Sequence, residues 1–137
     1  MKETLEALDL ERTKLYHQLQ GLGDFRPGII SVNFRKCGKK NCACAGPSHL
    51  GHGPQYLWNT TQGGQSRAQN LHLGAELEKV RKEIENHRIF VQLCQQLVQV
   101  NEKICRLRPV QEVKDEKELE ALKKKLQKQF SPRWQKK

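Results

Sequence analysis

Phe34 to Tyr56 reads F-R-K-C-G-K-K-N-C-A-C-A-G-P-S-H-L-G-H-G-P-Q-Y, a stretch dense in cysteine, histidine and glycine. Cys37, Cys42 and Cys44 fall within eight residues, with His49 and His52 just beyond. Soft thiolates and imidazoles gathered on a Gly-rich loop are what a tetrahedral Zn²⁺ site requires. Three thiolates and one imidazole close such a site and leave no position for substrate or an activated water. The expected cofactor is therefore one structural Zn²⁺, held by Cys37, Cys42, Cys44 and His52. It would staple a head too small to build a large core. His52 is preferred to His49 as fourth ligand because the His-Gly-Pro turn can fix an imidazole at the loop exit.

Disulfides are the competing explanation. The opening Met1–Glu6 has no apolar stretch of the signal-peptide kind, and no transmembrane run follows, so a reducing cytoplasm is the expected setting. Five cysteines also cannot pair completely. The spacing C-x4-C-x-C departs from the standard finger patterns, so the residue types weigh more than the spacing.

Charge is the second signal. The 137 residues carry 25 Lys and Arg against 15 Asp and Glu, a net charge of +10, and only 36% are hydrophobic. Residues 25–73 hold six basic side chains and no carboxylate, whereas residues 1–24 hold three basic and five acidic ones. Residues 74–109 have seven and five, and residues 110–137 nine and five. A Cys3His zinc centre would itself add about one negative charge and leave the head positive. A carboxylate-free, basic segment beside a metal loop suits a polyanion. The candidate nucleic-acid contacts are Arg35, Lys36, Lys39, Lys40 and Arg67.

The remaining pattern assigns four segments and an α+β fold. Residues 1–24 form an N-terminal amphipathic helix, with Leu5, Leu8, Leu15, Leu19 and Leu22 on a heptad stripe, Arg12 in register between them, and Gly21 and Gly23 at its end. Residues 25–73 form a basic zinc-binding β head. Ile30, Val32 and Phe34 alternate as a half-buried strand, Tyr56, Trp58 and Thr60 as a second, and residues 65–72 as a third after a Gln62-Gly63-Gly64 turn. The head is thus a three-stranded antiparallel meander with the metal loop between its first two strands.

Residues 74–109 form a central helix, Glu76 to Leu107, of roughly 48 Å. One seam runs through Leu77, Val80, Ile84, His87, Val91, Cys94, Val98, Asn101 and Cys105. A second, Phe90, Leu93, Leu97, Val100, Ile104 and Leu107, adjoins it. Cys94 and Cys105 read as small buried thiols of a helix interface, and His87 and Asn101 as register-setting polar residues. Residues 110–137 form a C-terminal helix begun by Asp115 and Glu118, then a basic tail in which Trp134 could stack on a base or anchor to a partner. The three helices are expected to make a long antiparallel, coiled-coil-like stalk, whose seams also leave room for a homodimer.

Arg26 to about Leu97 resembles a family of small bacterial and archaeal proteins of uncharacterised function. The matching residues are Cys37-Gly38-Lys39, Cys42, Cys44, His52-Gly53-Pro54, Tyr56, Gly63-Gly64 and Arg67. This chain departs from the family pattern in an extra loop histidine and in Gln55. Members of that family are often associated with transposases and other mobile elements, so the resemblance implies a DNA-linked role. In architecture alone, a meander followed by a helix is similar to the DNA-binding arms of some phage integrases.

The expected function is that of a non-enzymatic, zinc-stabilised nucleic-acid-binding accessory protein, DNA being favoured over RNA, working with a transposase or another nucleic-acid enzyme and without a membrane. The alternative is a protein-interaction module, an assembly subunit or inhibitor, that docks through its helical stalk. An enzyme is disfavoured, because residues 25–73 offer no carboxylate as general acid or base and no Ser-His-Asp or two-metal constellation is readable.

Overall fold

The computed structural model describes residues 3–132, and the assignments made for Trp134 and the rest of the basic tail lie outside them. The elements are α1 (Leu5–Gln20), β1 (Ile29–Arg35), β2 (His52–Gln62), β3 (Gln65–Leu71), α2 (Ala75–Leu107) and α3 (Glu116–Gln129). Among the described residues the fold is α+β, with three α-helices and one three-stranded antiparallel sheet in the order β1-β2-β3. Among the described residues no helix is long and apolar enough to cross a membrane. The chain divides into two units, Met1–Cys105 and Arg106–Lys137.

In the first unit α1 begins at Thr4, whose hydroxyl accepts from the Ala7 amide at 3.1 Å, and ends at Gly21. The cap satisfies one of the amides that a helix start leaves without an intrahelical partner. Leu8 and Leu15 bury against Leu93, Val100 and Ile104 of α2, flanked by Leu5, Leu19, Leu22 and Leu97. The helices run antiparallel: Glu3 pairs with Lys103 at 2.9 Å, while Asn86 donates to the Asp24 carbonyl at 2.9 Å. The second of the two predicted seams is the one that α1 covers.

The first seam has a different fate. Val80 is buried, but Val91 and Val98 are 38% and 65% exposed, and Cys105 is exposed too. The reading of Cys105 as a buried interface thiol is therefore wrong, because α1 occupies the adjoining face of α2.

The sheet closes through Gly63 and Gly64, with φ of 56° and 78°, between the paired Gln62 and Gln65. Successive left-handed residues give the twist that a two-residue hairpin needs. The strand pattern was legible, but the expected burial was not. Val32 and Phe34 are 54% and 44% exposed, since only the start of β1 reaches the helices.

The second unit contains α3, capped by Asp115, whose carboxylate accepts from the Lys117 amide at 2.9 Å. Its apolar residues Leu122 and Leu126 are exposed.

Candidate metal centre

β1 delivers the chain to Cys37, and a single 3-10 turn, Ala43–Ala45, sets Cys42 and Cys44 on either side of Ala43. The turn is held by the Ala45 amide on the Cys42 carbonyl at 3.0 Å and the Gly46 amide on the Ala43 carbonyl at 3.2 Å. Lys36 reaches across the loop to the Gly46 carbonyl at 3.2 Å. The chain returns through Gly51, buried at φ 113°, where a Cβ would stand 2.7 Å from the Arg35 backbone. Glycine is required there by both conformation and space. His52 follows as the first residue of β2, paired with Arg35, and β2 carries the extra residue of a bulge between this pair and Asn33–Gln55.

The ligand atoms of Cys37, Cys42, Cys44 and His52 all lie within 4.8 Å of one another. The Cys37 and Cys44 sulfurs are 3.5 Å apart, and the Cys42 sulfur is 3.3 Å from His52 Nε2. Zinc–sulfur and zinc–nitrogen bonds of about 2.3 and 2.0 Å imply tetrahedral edges of roughly 3.5–3.8 Å, so these separations suit one ion. The four residues could hold a single metal ion, and their donor set is that of a closed structural site. His49 is not among them. Its Nδ1 accepts the Gly51 amide at 2.9 Å, which turns the ring onto its own loop.

The local field favours a thiolate at Cys37. The Lys39 amide, then His52 and the Cys44 thiol, hold its pKa down at about 6. At Cys44 the Cys37 amide pulls downward, yet burial and the neighbouring thiols outweigh it and the net shift is upward. One thiolate is thus already favoured where a dication would bind.

The predicted nucleic-acid contacts divide. Arg35, Lys36, Lys39 and Lys40 are exposed on or beside the metal loop. Arg67 instead pairs with Thr60, eight residues along β2 from His52. At about 3.4 Å per residue that is roughly 27 Å of strand, so the register separates Arg67 from the loop cations.

One cluster escaped the sequence reading. The Arg26 guanidinium lies 4.6 Å over the Trp58 ring and 2.8 Å from the Glu83 carboxylate, which Lys79 also meets at 2.7 Å. Trp58 Nε1 donates to the Pro27 carbonyl at 2.8 Å, and the Arg26 amide to the Glu83 carbonyl at 3.1 Å. These contacts tie the sheet to α2 and neutralise one of the six basic residues of the head. The legible signal was an acidic Glu83 inserted between the apolar positions Val80 and Ile84.

Residues 5–82 match the family model described as a domain of unknown function (DUF6788). The chain belongs to the DUF6788 family. The domain begins with α1, takes in the whole sheet and the metal loop, and ends within α2, whereas the resemblance in sequence runs from Arg26 to about Leu97. The DUF6788 segment therefore includes the N-terminal helix and stops short of the apolar seam that packs on it. No curated protein and no solved structure matches the chain.

Proposed function

We propose that this protein is a non-enzymatic nucleic-acid-binding accessory factor whose head is held together by one Zn²⁺ on Cys37, Cys42, Cys44 and His52. The observation that carries the reading is the exposure of Arg35, Lys36, Lys39 and Lys40 around the four-ligand loop, in a stretch of 49 residues without a carboxylate. The ion, when bound, supplies a cross-link between the strand ends. The chain's own side chains do the rest. The loop backbone fixes the cations, and their ammonium and guanidinium groups meet phosphates, which gives affinity without much sequence reading. The helices serve as a coiled-coil-like stalk that leaves room for a homodimer and presents the head to a transposase or another nucleic-acid enzyme in the cytoplasm.

Fluorescence anisotropy of the metal-loaded protein with duplex DNA, single-stranded DNA and RNA across a salt series tests this. Log affinity should fall linearly with log salt, by about 0.9 units of slope per phosphate neutralised on duplex DNA. An affinity indifferent to salt would remove the proposal.

The exposed part of the first α2 seam, Val91, Val98 and Cys105, favours a second reading in which the helices dock on a partner enzyme. In that case the basic head meets an acidic protein, or an RNA held by that partner. Protein that binds no nucleic acid but co-purifies with one defined partner would select this alternative.

A further inference from the structure

We infer that the outward face of the sheet is a base-reading surface that enters the major groove of duplex DNA, an inference that rests on the nucleic-acid reading above. Strand alternation and the observed register sort the side chains into two faces. One face holds Trp58 beneath Arg26 and the buried Leu71, and it is tied to α2 through Glu83. The other aligns Ile29 with Asn59 and Ala68, Ser31 with Leu57 and Asn70, and Asn33 with Gln55. Because the bulge lies on β2, β1 keeps its alternation and Arg35 ends this second face beside the metal loop.

The composition of that face is unusual for a solvated one. In a chain with 29% charged residues, Arg35 is its single charge, and the polar positions are amides and hydroxyls. Asn33, Gln55 and Asn70 are exposed, and Asn59 is held beside them by donating to the Ser31 hydroxyl at 2.6 Å. Asn and Gln pair bidentately with the N6 and N7 edge of adenine, and apolar side chains meet the thymine methyl. Ile29 is 65% exposed and pairs with Asn59, and both line a depression of about 520 Å³ with Thr61, Ser66 and Ala68, bordered by Arg67 from the neighbouring register position. Amides beside an exposed aliphatic group are therefore suited to A·T pairs. Three strands about 4.8 Å apart span roughly 10 Å, comparable with a major groove about 12 Å wide. Charge complementarity points to the same occupant. Arg35 stands at one end of the face and Arg67 borders the depression at the other, where they would meet the phosphates of the groove walls.

The test incubates full-length, metal-loaded protein with a pool of duplexes carrying a random core and sequences the bound fraction. The expected result is an enriched site containing A·T steps, bound about 10- to 100-fold more tightly than the unselected pool. N33A/Q55A/N70A should lose that preference and keep the native salt slope on the unselected pool, because no cation has been removed. Far-ultraviolet circular dichroism confirms that the variant is folded. Duplex binding without enrichment, enrichment that persists in the triple variant, or stronger binding to single strands would overturn the inference while leaving the electrostatic proposal standing. Absence of binding to any nucleic acid would overturn both.

Discussion

Arg12 Nη1 donates to Asn101 Oδ1 across 3.0 Å, so the two polar residues that interrupt the apolar stripes of α1 and α2 are partners. Arg12 also pairs with Asp9 at 3.0 Å, and Asn101 donates to the Leu97 carbonyl at 2.9 Å. A polar contact inside an apolar seam fixes which turn of one helix meets which turn of the other.

Asn101→Ala should cost about 1–2 kcal/mol in urea unfolding, since it deprives a part-buried guanidinium of its cross-helix acceptor. Arg12→Leu combined with Asn101→Leu should recover that loss and loosen the choice of register. Single-variant losses that simply add would show that the pair is not coupled.

Purified protein should carry about one equivalent of zinc, and chelation should unfold the head while helical circular dichroism largely persists, because a sheet of this size is marginal alone. Cys42→Ser and His52→Ala should lose the metal. His49→Ala, Cys94→Ser and Cys105→Ser should retain it. A head equally stable without metal would end the zinc reading.

Glu83 provides the pH dependence. Its hydrogen bond from Lys79, with Arg26 beside it, holds the carboxyl below its ordinary value of 4.5. A depressed folded pKa means that the ion pairs stabilise fully above the unfolded value and are lost as pH falls through the folded one. Glu83→Gln should therefore lower Tm near pH 7, with the variant and native curves converging as the pH falls well below 4.5. A gap that stays constant with pH would show that the carboxylate charge is not what ties α2 to the sheet.

Neutralising Lys36, Lys39 and Lys40 together should remove close to three units of log–log salt slope on duplex DNA, about 0.9 per contact. Arg67→Ala, a long way along the strand, should remove one at most. A larger effect from Arg67 than from the three lysines would move the phosphate track to the hairpin end.

Gly63→Asn should be tolerated within about 0.5 kcal/mol, because Asn accepts the left-handed backbone of this turn, whereas Gly64→Val should cost about 1–2 kcal/mol. Thermal melts of the two variants would separate the cases.

Local periodicity carried much of the fold. The alternation at Ile30 and Val32 and at Tyr56 and Trp58, the paired glycines, and the long apolar repeat of α2 all declare their elements within a few residues. Cys37, Cys42, Cys44 and His52 were legible for the same reason, as a cluster of metal-seeking types on one loop. Burial was not legible, because Val32 and Phe34 look like core residues until the length of sheet that the helices cover is known. The strand that bears Arg67 was legible, but its distance from the loop was not, because that depends on the register of the paired strands. The Arg26–Trp58–Glu83 contact joins three segments far apart in sequence, and no single window contains its logic.

Glu3 and Lys103 touch across 100 residues of chain, and that separation orders events on the ribosome. At about 5–20 residues per second, α1 waits roughly 5–20 s for the part of α2 that covers its leucines. All three strands and the metal loop are synthesised by Leu71, ahead of Glu83 and the rest of α2. The four candidate ligands are thus in place while the N-terminal helix is still without a mate, leaving the leucine stripe of α1 open to chaperones during that interval.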